Sequence, residues 1–241
     1  MAELGLAKSK MMVVSQPAGL GDIIYSMTLI RRLAAPSYKV LWPVLSHFVE
    51  GCQRAYPDVT FIPKEWCPVD LTMKKDIEFN LYRYIPIRWS DGWKGLPYTE
   101  NMKSKYSMYD MDYRTWKELS FFRRDLEREK RLMEILGLKE GEKFNLINKF
   151  FGSNSQYQCD IEIKNEYKNI EISSLDGFSL FDWSSIIENA SEIHVANSSI
   201  LYLLEILNFK AKEVHLYCRK PIEKDFSFTD YLHTKPYILH Y

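Results

Sequence analysis

The sequence predicts an α/β fold built on parallel sheets in two halves. Three features carry that expectation. The apolar run Met11-Met12-Val13-Val14-Ser15 enters a glycine turn, Gly19-Leu20-Gly21, and an amphipathic helix follows at once. Strand, helix, strand, helix and strand then succeed one another to residue 62, an order that gives right-handed crossovers and parallel neighbours. After Gly137 the same alternation starts again at Phe144.

Element by element, Met11–Ser15 reads as a buried strand and Asp22–Leu33 as its helix, with Ile23, Met27, Ile30 and Leu33 on the packing face. Pro36 stops that helix. Val40–Leu45 is a second strand, and Pro43 within it points to an edge or an end. His47–Tyr56 is a helix, and Val59–Ile62 a strand bounded by Pro57 and Pro63. Asp76–Tyr84 alternates Ile77, Phe79 and Leu81 with polar residues and predicts one strand. Ile85–Thr99, with Trp89 and Trp93, reads as a long loop at the rim of a site.

Tyr113–Leu136 reads as one helix, capped by Asp110 or Asp112, ended by Gly137 and solvated over Arg123–Arg131. Gly137–Gly141 is the candidate hinge. In the second half Phe144–Asn148, Asn169–Ile172, Glu192–Ala196 and Glu213–Tyr217 read as strands. Phe181–Asn189 and Ser198–Leu207 read as helices, and Phe151–Ser155 as a polar loop. The aromatic and histidine-bearing tail, Asp225–Tyr241, is expected to pack back across the first half.

Composition narrows the function. The 241 residues carry 32 basic and 32 acidic side chains, so no basic surplus points to a nucleic-acid partner. Cys52, Cys67, Cys159 and Cys218 are scattered, which argues against zinc and a disulfide framework and for reduced thiols. Residues 1–10 have no signal-peptide pattern, and no apolar run is long enough to span a bilayer, so a cytoplasmic protein without a membrane span is expected. Aromatic residues make up 15%, which composition alone assigns to core and rim packing before stacking against sugars.

The chemistry gathers at two turns. Gly19 and Gly21 have a G-x-G spacing, but Ile24 stands at the third glycine of a dinucleotide fingerprint, so NAD chemistry is the weakest reading. Asp22 has two readings: an N-cap accepting backbone N–H bonds, or a base for an acceptor hydroxyl. In Glu192–Leu204 a strand passes through Asn197-Ser198-Ser199 into an apolar helix. Two hydroxyls and successive N–H groups there suit a diphosphate, and equally an ordinary cap. Asp110-Met111-Asp112 has the D-x-D spacing of a divalent-cation site, but its place before a helix favours capping. Among the histidines, His194 and His215 fall in apolar strands and read as structural, and none has a metal spacing. Arg219 and Lys220 follow the last clear strand, where cleft-lining residues lie in open α/β sheets.

Gly19-Leu20-Gly21-Asp22, followed by Thr28-Leu29-Ile30-Arg31, resembles the opening motif of the heptosyltransferase-like glycosyltransferases, family 9 and its relatives. Ala196-Asn197-Ser198-Ser199-Ile200-Leu201-Tyr202 is similar to their phosphate motif, with Asn197 where Asp is usual and Tyr202 where His is usual. The resemblance implies a GT-B-like fold, two Rossmann-like lobes with parallel sheets facing across a cleft, reduced in size. Residues 1–138 would form the acceptor-side lobe and 139–241 the nucleotide-sugar lobe. It implies an inverting, metal-independent glycosyltransferase with no cofactor beyond a nucleotide-diphosphate sugar donor, UDP or GDP, and a glycan acceptor. The transferred sugar would be a rhamnose, heptose or hexose. Asp22 corresponds to the base. Gly19, Gly21, Asn197, Ser198 and Ser199 fall in the matched motifs. Lys149, Ser153 and Asp176 are placed by position near the donor, with Arg219 at a strand end. The competing expectations are a non-catalytic nucleotide- or glycan-binding module and a Rossmann-type oxidoreductase.

Overall fold

A computed structural model describes residues 10–16, 19–34, 38–78, 82–87, 98–152, 157–219 and 232–241. In chain order the first half contains β1 (Lys10–Ser15), α1 (Leu20–Ala34), β2 (Tyr38–Val44), α2 (Ser46–Ala55), β3 (Val59–Pro63), β4 (Ile77–Glu78), β5 (Tyr82–Pro86) and α3 (Tyr98–Ser107). Then follow α4 (Leu126–Ile135), β6 (Phe144–Asn148), β7 (Phe150–Phe151), β8 (Tyr157–Gln158), β9 (Lys168–Glu171), α5 (Ser184–Asn189), β10 (Glu192–Ala196), α6 (Ile200–Ile206), β11 (Glu213–Tyr217) and β12 (Ile238–His240). Short 3-10 turns cover Lys64–Trp66, Tyr113–Lys117 and Leu180–Trp183.

Two five-stranded sheets organise these elements, and the α/β expectation with parallel strands holds. The first has the order β3-β2-β1-β5-β4, parallel except for the edge strand β4. The second has the order β12-β11-β10-β6-β9 and is parallel throughout. In each, the chain leaves a central strand in both directions, at β1 and at β6. Such a switch point opens a crevice at the carboxyl ends of the strands.

One apolar core runs through both halves, from Met12, Val14 and Trp42 to Ile193, Val195 and Leu216. α1 is apolar almost all round, with Ile23, Ile24, Tyr25, Met27, Leu29 and Ile30 buried. A helix buried on every side is covered by more than its own sheet. α1 packs on α6, and Tyr25, Tyr106, Trp116 and Tyr202 form a ring cluster with centroids 5.1 to 6.0 Å apart. His233 adds to it, 5.3 Å from Tyr202.

Two glycines permit this approach. A Cβ on Gly21 would sit 2.8 Å from the Tyr202 ring and 3.3 Å from the Ser199 Cα. On Gly51 of α2 it would sit 2.6 Å from the Ser179 Cβ. Gly51→Ala gains helix propensity of about 1 kcal/mol but overpacks a tight contact at a cost of about 1–3 kcal/mol. A net loss of stability in urea melts is the expected result, and a melt like that of the parent would show that the contact yields freely.

Several boundaries differ from the sequence reading. The single helix expected over Tyr113–Leu136 is a 3-10 turn, an extended stretch and α4. Long-range hydrogen bonds hold the extended stretch open. Arg31 Nη1 donates to the carbonyls of Leu119 and Phe121, the latter at 2.8 Å, Leu119 N–H donates to Thr28 Oγ1 at 2.9 Å, and Arg123 N–H to the Ala55 carbonyl at 2.8 Å. Gly137 does end α4, at φ 62°: its N–H donates to the Glu134 carbonyl and that of Leu138 to Met133, which closes the helix in a left-handed turn. The strand expected over Asp76–Tyr84 is instead an antiparallel pair, β4 and β5, with residues 79–81 outside the described set. Most of the rim loop, residues 88–97 with Trp89 and Trp93, lies outside it too.

The described part of the tail does meet the first half. Trp116 Nε1 donates to the Leu232 carbonyl at 3.3 Å, and Lys117 Nζ donates to Thr234 Oγ1 at 2.7 Å. Glu205 of α6, whose side chain is fully buried, anchors the same segment. It accepts from the N–H groups of Thr234 and Lys235 and from the Tyr237 hydroxyl, and it pairs with Lys117. The chain then adds β12, unforeseen in the sequence, beside β11. No helix among the described residues is long and apolar enough to cross a membrane.

Candidate functional site

A cavity of about 1850 Å³ opens where the carboxyl ends of both sheets meet. From the first sheet it takes Ser15 at the end of β1, Gly19, Gly21 and Asp22, and one flank of α2. From the second it takes a residue at or beyond the end of each of four strands: Asn148 after β6, Ile172 after β9, Asn197 after β10 and Arg219 after β11. Both turns singled out in the sequence therefore line the same space.

Asp22 sits in the third residue of α1, so it is not the N-cap. Gly19 fills that place, its carbonyl accepting from Asp22 N–H at 3.1 Å and Ile23 N–H at 3.3 Å. A carboxylate in the first turn favours the helix electrostatically. Its main partner is Lys105 of α3, whose ammonium meets Oδ1. The Lys105 side chain is 0% exposed and that of Asp22 15% exposed. A buried ammonium requires an anion, and Asp22 is that anion. Asp22 lines the cavity, and its Oδ2 has no hydrogen-bond partner among the described residues.

On the opposite wall, Asn148 Nδ2 donates to Ser198 Oγ at 2.8 Å, which leaves the Ser198 hydroxyl hydrogen for a ligand. Ser199 precedes α6 in helical backbone geometry, with no side-chain capping bond. Asn197 is buried, its N–H bonded to the Tyr217 carbonyl at 3.2 Å. Arg219 places its guanidinium 5.9 Å over the Phe151 ring. Asp176 is exposed on the cavity lip. Its neighbour Gly177 takes φ 78°, and the Gly177 carbonyl accepts from Arg128.

Lys149 does not line the cavity. It donates to Glu171 Oε2 at 2.9 Å and lies 5.3 Å from the Phe150 ring centroid. Side chains alternate faces along a strand, so Asn148 and Lys149 point to opposite sides of the sheet. Of that pair it is Asn148 that lines the cavity. Ser153 and Lys220 lie outside the described residues. Asp112 caps the 3-10 turn through Arg114 N–H at 2.9 Å, and neither Asp110 nor Asp112 lines the cavity. The D-x-D spacing is thus a cap.

The sequence reading missed the α2 flank. His47, Glu50, Gly51, Cys52 and Arg54 line the cavity, and Arg54 Nη2 donates to buried Asp182 Oδ2 at 2.8 Å. Asp182 in turn closes a capping box with Ser179. Cys52 is no nucleophile: burial pushes its thiol up to about 12. Leu71, Thr72 and Lys74 add a third edge that no sequence motif marked. Comparison of the chain with family models, with curated proteins and with solved structures finds no match, so its functional reading rests on the residues of this cavity.

Proposed function

We propose that the protein is a glycosyltransferase of reduced GT-B architecture that moves a hexosyl, deoxyhexosyl or heptosyl group from a nucleotide-diphosphate sugar to a glycan hydroxyl. Residues 1–138 form the acceptor side and 139–241 the donor side in this reading. Its support is one observation: Gly19–Asp22 and Asn197–Ser199, the two motif segments, border a single cavity at the carboxyl ends of parallel strands.

The acceptor hydroxyl lies against Asp22. Oδ2 takes its proton as the acceptor oxygen bonds to the anomeric carbon. The bond from that carbon to the diphosphate breaks on the opposite face, so the configuration inverts. The electron pair leaves with the diphosphate, whose charge Arg219 and the Ser198 and Ser199 hydroxyls offset. Lys105 keeps Oδ1 engaged and so fixes which oxygen faces the acceptor. Lys149 has no part in this scheme.

The pairing of Asp22 with Lys105 also favours a second reading. A carboxylate held as a counter-ion needs no chemistry, and a cavity that binds a nucleotide or glycan without turnover would look the same.

Thermal melts with UDP, GDP, ADP and their sugars test both. A ligand at about one hundred times its dissociation constant adds about 2.7 kcal/mol, a rise of about 5–10 °C for a chain of this size. No rise with any of them would sink both readings. Nucleotide release then separates transfer from binding. Lys105→Met should retain transfer at a reduced rate, because the carboxylate stays but the bond that orients it is lost. Lys105→Met/Asp22→Asn should lose it while still binding the nucleotide, and transfer surviving in that double variant would exclude Asp22 as the base.

A further inference from the structure

The second sheet has two unlike faces. One carries Phe144, Leu146, Ile193, Val195, Val214 and Leu216 into the core. The other carries Glu192, His194, Glu213, His215 and His240. The register explains the grouping: His194 pairs with His215 and Glu192 with Glu213 across β10 and β11. Helices α5 and α6 connect strands running one way along the sheet. The β6–β9 link turns the other way, so right-handed crossovers set it on the opposite face. That link has no helix among its described residues; near the carboxyl ends of the strands the face carries Ala196 and Tyr217, packed with Phe151 and Cys159, and near the amino ends it is left polar.

The two imidazoles stack with centroids 4.4 Å apart and planes 1° apart. Each has its Nδ1 engaged, His194 with the Tyr217 hydroxyl at 3.3 Å and His215 with His240 Nε2 at 2.9 Å. Each therefore turns Nε2 toward the amino ends of the strands. There Glu192 Oε2 lies 3.4 Å from His194 Nε2, and Glu213 Oε2 lies 3.3 Å from His215 Nε2. Asn165 Nδ2 steadies Glu192, donating to Oε2 at 2.6 Å. His194 is 4% exposed, yet its Nε2 has no hydrogen-bond partner among the described residues. A buried polar nitrogen in that condition calls for an explanation.

We propose that Glu192, His194 and His215, closed by Glu213, form a binding site for a divalent transition-metal ion of the zinc type. Donor atoms of the first three already lie within 4.8 Å of one another. A tetrahedral zinc ion with bonds of about 2.1 Å sets its donors about 3.4 Å apart. The two carboxylate–imidazole distances match that spacing, and a tilt of the stacked rings brings in the third edge. Two imidazoles with two carboxylates suit zinc, cobalt or nickel rather than a hard cation. The Nδ1 bonds are those that orient metal-ligating histidines elsewhere. The site is at the amino ends of β10 and β11, away from the cavity, and its role is to clamp two strands rather than to act on substrate.

The full chain, stripped with a chelator, is titrated with Zn²⁺ alone by calorimetry and with Co²⁺ alone by visible absorption. A single saturable site, with the intense visible bands of tetrahedral Co²⁺ and a zinc-dependent rise in melting temperature, is expected. Glu192→Gln and the less buried His215→Gln should each weaken binding by at least about tenfold, and metal-free melts show that the variants are folded. Zinc affinity unchanged in both variants overturns the proposal, as does failure of the parent chain to bind either ion.

Discussion

Asp22→Asn is expected to lose about 3–5 kcal/mol of stability, a large share of the margin of an ordinary domain. The cause is Lys105. Its side chain is wholly buried and its ammonium meets Asp22, the anion that makes burial tolerable. Asparagine preserves the shape but leaves the cation without a counter-charge in a medium that solvates it poorly. Lys105→Met should cost less, because the Asp22 carboxylate keeps some contact with solvent. The double variant should recover most of the loss, since a buried ion pair exchanged for well-packed neutral groups is often neutral in stability. Urea midpoints of the four proteins give the coupling directly. Additive losses would mean that the pair carries no stability of its own. The same cycle guards the activity test above, because inactivity in an unfolded single variant says nothing about chemistry.

Glu205→Gln should be comparably damaging, at about 3–5 kcal/mol, and its effect should be local. Burial raises the carboxyl of Glu205, but hydrogen bonds from Lys117, the Thr234 N–H, Tyr237 and the Lys235 N–H outweigh it, and the group is held below its ordinary value of 4.5. A depressed folded value stabilises the protein above the unfolded value and ceases to do so as pH falls through the folded one. The parent chain should therefore lose this contribution below about pH 4.5, whereas Glu205→Gln should show a flatter acid profile. Hydrogen exchange in the variant should speed up most at residues 234–240, by local opening, and in β1 and α1 by no more than the global loss of stability. Uniform acceleration over the whole chain would show that Glu205 supports the core rather than the tail.

Much of the architecture was legible from periodicity. The β-α-β-α-β opening needed only apolar runs, four prolines and one glycine turn, all of them local. The second half was legible for the same reason, apart from β12, a short strand recruited by β11, and the two-residue pair β7–β8, where the sequence reads as a polar loop. Tyr113–Leu136 was misread because composition favours a helix there, while Thr28, Arg31 and Ala55 hold its middle extended by bonds from distant parts of the chain. The candidate site was half legible. Turns that follow strands announce themselves, so Gly19, Gly21, Asp22 and Asn197–Ser199 were found. Lys105 and the α2 flank carry no motif, and which of Asn148 and Lys149 meets the cavity depends on side-chain alternation at the end of β6. The Glu192–His194 and Glu213–His215 pairs needed strand register, which no spacing along one segment reveals.

The ring cluster of Tyr25, Tyr106, Trp116 and Tyr202 has a mechanical consequence. Swinging one sheet away from the other would prise these rings apart and wet a buried aromatic seam, a cost that opposes hinge motion between the halves. A ligand of the proposed kind would then be admitted by displacement of the cavity's margins, at Leu71–Lys74 and Ser173–Gly177, rather than by rotation of a whole sheet.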